Sequence, residues 1–266
     1  NSPVWDDIWA TMNPPEYKVE RKDIKIIDPS ERPTNREYDH YLYIIDIAKE
    51  HKYDDIKIAE NSPFLVQDPL FNTLLIKSNQ SLINLYQILG GNEDKIKQLE
   101  EWQTKSINSF NNKLYNADLG AYVYYDLRNE KYINQISSSS FAPLYAGIPS
   151  KDQASKIVKT MLDKFGGENR YLCASFDPDS SRFNPKKYWR GPVWINMNWF
   201  LYYGLLDYGY VDLANKIKSD SIELITKAGF YEYFNPNKEV YKYENGGYGG
   251  SDFSWTAALY IDLINN

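Results

Sequence analysis

The stretch "KKYWRGPVWINMNWFLYYGL", Lys186–Leu205, packs seven aromatic residues, one arginine and a Gly-Pro pair into twenty positions. Gly191 permits a sharp turn and Pro192 fixes φ, so the pair predicts a helix start. The run from Val193 to about Asp207 is apolar on nearly every side, and a helix of that kind is buried all round. On this reading Tyr188, Trp189 and Arg190 stand at the mouth of the helix and Trp194 lies on its first turn. Rings there either pack into a core or stack on a ligand that has apolar faces and polar edges.

The surrounding segments differ from it. Residues 36–51, 93 to about 110, 151–165 and 211–229 show helical periodicity with one apolar face. Residues 68–91 open on Asp68-Pro69, a cap followed by Pro at the first helical position, and end in Gly-Gly. A last helix covers roughly 253–264. Apolar inner helices beside amphipathic outer ones predict an all-α fold of two concentric helical layers, with 1–266 as a single domain. Two Tyr-rich stretches, 119–133 and 228–243, each follow a helix, turn on Asn and return to Tyr. They predict short extended pairs in a helix-hairpin repeat of roughly 110 residues.

Bulk composition narrows the function. The chain has 266 residues and a net charge of −6, without a Lys/Arg cluster, which argues against a nucleic-acid binder. No apolar run is long enough to cross a bilayer. Cys173 has no partner cysteine, which fits a reducing, cytoplasmic setting. No metal-ligand spacing is present, and no cofactor is expected. Aromatic content is 16%, with 24 Tyr and 7 Trp; such rings suit carbohydrate ligands as well as a core.

Three further motifs bear on chemistry, each with a plain structural alternative. In "GFYEYFNP" (229–236) Glu232 is flanked by Phe230, Tyr231, Tyr233 and Phe234. An acid in such surroundings suits general acid–base work, or is a surface residue in a Tyr-rich hairpin. In "ENGGYGGSDFSWTAAL" (244–259) four glycines precede a helix that Ser251 or Asp252 could cap; this is a mobile loop, or one that closes over a site. In "NSPVWDD" (1–7) Asp6 and Asp7 are ligands or catalytic acids, or ordinary acids of a helix's first turn. His40 and His51 lack partners and read as structural, and "SSSS" (137–140) reads as a loop.

"NSPVWDD", "PFLVQDPLF" (63–71), "FAPLYAGI" (141–148), "YWRGPVW", "GFYEYFNP" and "GGSDFSWTAALY" occur in an order that resembles glycoside hydrolase family 63. The likeness is strongest to its bacterial and archaeal branch, which includes mannosylglycerate and glucosylglycerate hydrolases, and extends more distantly to trehalases. It runs from Asn1 to about Asp262. The resemblance implies an (α/α)6 toroid of six inner and six outer helices, with the site at one end. It also implies inverting hydrolysis of an α-glycosidic bond by two carboxylates about 6.5–9.5 Å apart. By motif position Glu232 matches the general base. Tyr188, Trp189 and Trp194 match sugar-contacting positions, with Arg190 beside them, Tyr231 next to Glu232 is expected to bind substrate too, and Asp252 falls near a position that often holds Gln. The family's general acid is the Asp immediately before the Asn-Ser-Pro turn, and this sequence begins at that Asn. With seven or eight long helices instead of twelve, the expectation is an incomplete toroid: the C-terminal part of a larger enzyme, inactive alone and partnered by its own N-terminal part. Arg32 and Arg36 are candidates for an acidic aglycone. The competing expectation is a carbohydrate-binding or structural helical domain without turnover.

Overall fold

The computed structural model describes residues 1–266. Nine α-helices run in the order α1 (Asp6–Trp9), α2 (Asn35–Glu50), α3 (Asp55–Asn61), α4 (Pro69–Ile88), α5 (Glu93–Leu114), α6 (Lys151–Phe165), α7 (Ile195–Asp207), α8 (Val211–Ala228) and α9 (Ser254–Asn265). Local chemistry sets several boundaries. Thr34 and Glu37 form a capping box at the head of α2, and Ser150 and Gln153 form another at α6. Asp68 caps α4 through Phe71 N with Pro69 at the first position, as the sequence predicts.

Helix α7 is the inner element. No residue from Ile195 to Leu206 is exposed, and Leu201 and Leu205 share one core with Ile217, Leu224 and Ile225 of α8 and Leu263 of α9. It is not uniformly apolar, however. Asn198, fully buried, accepts from Cys173 N (2.9 Å) and donates to Leu172 O (2.8 Å) and Ser221 Oγ (2.9 Å), fixing the segment that leads to Ser175. By contrast α4 leaves Phe71, Leu75, Leu85 and Ile88 exposed, and α9 leaves Trp255, Ile261 and Ile264 exposed. No helix is long and apolar enough to cross a membrane.

Several expectations need correction. Gly191-Pro192 does not start the helix: residues 192–194 are extended, Trp194 is the N-cap, and α7 begins at Ile195. The extended segment is held because Val193 exchanges both backbone hydrogen bonds with Phe234 (2.8 and 2.9 Å), while Pro192 O accepts from Ser175 N (3.0 Å). Gly191 answers a different need, since a Cβ there would lie 2.5 Å from Asn184 O.

The first Tyr-rich stretch makes two small sheets. Strand β2 (Tyr115–Asn116) pairs with β3 (Ala121–Tyr122), and β4 (Tyr124–Asp126) lies between β1 (Val66–Gln67) and β5 (Lys131–Ile133). The second is not a hairpin. Residues Lys238–Lys242 form a 3-10 turn, and β6 (Tyr233–Phe234) pairs with β7 (Gly247–Tyr248) in the glycine-rich segment. Neither Ser251 nor Asp252 caps α9; its N-cap is Phe253, without a side-chain bond, and Asp252 is exposed at φ +53°. Ser138–Ser140 is a 3-10 turn capped by Ser137, not a loop. His40 is structural, with its ring nitrogens against the carbonyls of Arg36 and Trp9.

Candidate active site

Three segments distant in sequence converge on Glu232. The 3-10 turn Pro29–Glu31, capped by Asp28 through Ser30 N, ends in extended Arg32. The turn before α7 supplies Tyr188, Trp189 and Trp194, and strands β6 and β7 with the following glycines supply the rest. Arg32 Nη1 donates to Glu232 Oε2 at 2.9 Å, and Gly250 N donates to the same oxygen at 3.3 Å. Oε1 receives no hydrogen bond from the chain. Both side chains are nearly enclosed, at 12% and 11% exposure. A buried carboxylate must be paired or hydrogen-bonded, and this one is both.

Arg32 is itself held on three sides. Its Nε faces Asp23 at 3.4 Å, and its guanidinium lies 4.4 Å over the Tyr188 ring. Burial works against its charge, yet Glu232, Tyr188 and Tyr233 together raise its pKa above the ordinary arginine value. Asp23 is gripped by Arg21 at 2.6 Å, which holds its carboxyl down at about 2. Nη2 of Arg32 makes no hydrogen bond within the chain.

The aromatic residues form a wall. Trp189 and Trp194 stack at 3.9 Å with 4° between planes, and Trp194 continues onto Tyr233 at 4.9 Å. Trp194 Nε1 donates to Tyr188 O at 3.0 Å, and Tyr233 OH donates to Glu31 O at 2.8 Å. Such stacks add about 0.5–1.5 kcal/mol per pair beyond burial and hold the rings in fixed orientation. Burial pushes the Tyr188 and Tyr233 hydroxyls up, so both remain neutral donors.

Gly249 makes the site possible. It sits at φ +72°, and a Cβ would stand 2.5 Å from Glu232 Oε2 and 2.8 Å from Glu232 Cβ. Its N–H donates to Glu31 Oε2 at 2.8 Å. The glycine segment is therefore pinned from both sides: by Glu31, and by Glu232 through Gly250. Gly249→Ala is expected to push the Glu232 side chain aside and to cost about 1–2 kcal/mol in left-handed strain alone. Chemical denaturation checks it; an unchanged midpoint would mean that the segment yields freely.

The other sequence candidates are placed differently. Arg190 is taken up bidentately by Asp6, at 2.8 and 2.5 Å, and Asp7 pairs with Arg182 at 2.6 Å. Arg36 is bonded to Pro14 O at 2.9 Å and lies 3.6 Å from Asp39. Tyr231 packs against the main core, not among the wall rings, and Asp252 is solvent-exposed. Tyr231 lies before strand β6, its N–H turned back onto Gly229 O at 3.0 Å, so the alternation that would set it beside Tyr233 does not reach it. Glu31 was not anticipated. Its carboxyl is pushed up by burial, against the opposing pull of Gly249 N, and only the fold brings it near the glycines.

Chemically, the arrangement offers a carboxylate with one oxygen pinned and the other free, beside a guanidinium and a flat apolar wall. Residues 1–256 match the family described as the mannosylglycerate hydrolase MGH1-like glycoside hydrolase domain. The chain belongs to this glycoside hydrolase family. A mannosylglycerate hydrolase of Thermus thermophilus is 38% identical over 97% of the chain and 60% of its own length. One from Rubrobacter radiotolerans is 34% identical over 99% of the chain and 59% of its length. The crystal structure of a family 63 mannosylglycerate hydrolase from Thermus thermophilus, in complex with Tris and D-glycerate, superposes with a TM-score of 0.88 at 35% identity. That match covers the whole of this chain and 62% of the crystallised one. The chain thus spans about 60% of the length of the curated relatives it matches.

Proposed function

We propose that the chain supplies the base side of an inverting α-glycosidase, with Glu232 as general base and a small carboxylic acid such as glycerate as the leaving group. The observation that carries this reading is the Glu232 carboxylate, whose Oε2 is occupied by Arg32 and Gly250 N while Oε1 takes no donor. A base so held keeps one oxygen in place and presents the other to water. Water attacking the anomeric carbon would pass its proton to Oε1. On the opposite face a second carboxyl group, about 6.5–9.5 Å from the base, protonates the leaving oxygen. In the family's pattern that acid is the Asp that stands immediately before the Asn-Ser-Pro turn. Asp6 and Asp7 are committed to arginines, which supports excluding them.

Trp189 and Tyr188 would carry the sugar face, with Trp194, buried between Trp189 and Tyr233, holding Trp189 in place. The exposed apolar side chains of α4 and α9 support reading the helices as an open arc of an (α/α)6 toroid, covered by further helices of the same enzyme. The decisive experiment incubates the protein, expressed from its full reading frame, with mannosylglycerate, glucosylglycerate, trehalose, kojibiose and nigerose. Proton NMR then identifies the first anomer released. Release of the β-sugar from an α-glycosyl glycerate is expected; sugar binding without release from any of them would favour a binding protein.

Arg32, with Nη2 unoccupied, is the cation available to an acidic leaving group. Arg32→Gln is expected to raise KM for the glycerate glycoside by about tenfold or more, the loss of one charge-assisted hydrogen bond of about 1.5–3 kcal/mol. A neutral glycoside should suffer mainly in kcat, through the loosened Glu232. Equal losses on both substrates would restrict Arg32 to holding the base.

A further inference from the structure

Trp189 belongs to two surroundings. One part of its indole is stacked on Trp194, and another lines a cavity of about 200 Å³. Trp5 and Leu70 extend its apolar wall, and Asn1, Asp68, Tyr124, Ser137, Ser139 and Ser175 supply polar groups. It has room for roughly six waters' worth of liquid.

Most of these groups already have partners. Tyr124 OH and Ser137 Oγ hydrogen-bond each other, and Ser139 N donates to Ser137 Oγ at 3.1 Å. Asp68 Oδ1 caps α4 by accepting from Phe71 N at 2.9 Å, leaving Oδ2 for another donor. Asn1 Oδ1 and Ser175 Oγ are the exceptions, both buried without a hydrogen bond, and the Ser175 residue is only 4% exposed. The Ser175 backbone is fully employed, N to Pro192 O at 3.0 Å and O from Ser138 N at 3.3 Å, so the fold needs the backbone here and not the hydroxyl. A buried hydroxyl without a partner is a cost that alanine would avoid. The cavity it borders therefore has a use for a donor–acceptor at that place.

We propose that this cavity recognises sugar hydroxyls: a neutral hexopyranose ring rests on the open part of Trp189, one hydroxyl donating to Asp68 Oδ2 and one bonding to Ser175 Oγ. The proposal rests on the glycosidase reading above and deepens it by naming residues that select the glycone. A carboxylate acceptor and a hydroxyl on one wall read the positions of hydroxyls, which is what distinguishes one hexose from another.

The test uses Ser175→Ala and Asp68→Asn in the protein expressed from its full reading frame. Calorimetry measures binding of methyl α-mannoside, methyl α-glucoside and their monodeoxy analogues, and thermal unfolding is measured without sugar. Ser175→Ala should keep its unfolding midpoint, because the hydroxyl has no partner to lose, and should bind the preferred methyl glycoside about tenfold more weakly. Asp68→Asn keeps an equally good helix cap and should weaken binding at least as much. The monodeoxy sugar lacking the recognised hydroxyl should bind the unsubstituted protein weakly, with no further loss in the variant. Unchanged binding in both variants would mean a cavity that holds water only. A lowered midpoint for Ser175→Ala with unchanged binding would make the hydroxyl structural and overturn the proposal. If the unsubstituted protein binds and cleaves no sugar, the glycosidase reading falls together with it; if it cleaves and the variants match it, only the hydroxyl pocket falls.

Discussion

Replacing Glu232 by Gln is expected to lower turnover by about 10²–10⁴-fold while sugar affinity stays nearly the same. Gln has the same shape and keeps an oxygen that can accept from Arg32 and Gly250 N, so the site should not collapse. What it lacks is a lone pair basic enough to take a proton from water. The loss should therefore appear in kcat and not in the dissociation constant of the sugar. Measuring kcat on a glycerate glycoside alongside calorimetric binding separates the two. Turnover surviving in the variant would falsify the role given to Glu232. A parallel loss of binding would point instead to a collapsed Arg32–Glu232 pair, which Arg32→Gln would then reproduce.

The largest expected effect on stability is that of Asn198→Leu. The side chain is fully buried and makes three hydrogen bonds, two of them to the backbone of Leu172 and Cys173. Leucine fills the volume but leaves Leu172 O and Cys173 N buried and unpaired, at about 1–3 kcal/mol each. A loss of about 3–5 kcal/mol is expected, read as a lowered urea midpoint with an unchanged slope. The damage should also reach the site, because residues 172–175 lie against the extended segment 192–194 that ends at Trp194. A change below about 1 kcal/mol would mean that solvent or a neighbouring donor replaces these bonds.

Asn198 also marks the limit of inference from the sequence. The apolar run from Val193 to about Asp207 announced a buried helix, and α7 is one from Ile195 on. Asn198 inside that run ties down an irregular neighbour, since a buried amide needs partners. Which neighbour it was could not be read, because Leu172 and Cys173 lie 26 and 25 positions away. Gly191-Pro192 misled in the opposite direction. Its local chemistry suits a helix start, but pairing of Val193 with Phe234 held the chain extended for three residues more.

Local rules were enough to set what depends on neighbours along the chain. The helices, the Asp68-Pro69 start and the inner character of α7 follow from spacing and residue type, whereas Glu232 and the "YWRGPVW" rings took their weight from the family resemblance. What joins Glu232 to Arg32, 200 positions apart, was settled only by tertiary structure. The same holds for the pinning of Gly249 by Glu31, the engagement of Arg190 by Asp6, and the solvent-facing placement of Asp252. The reason is physical. Helix periodicity and capping are short-range and written in consecutive residues, whereas charge pairing and burial depend on which distant segments the packed core brings within hydrogen-bond reach.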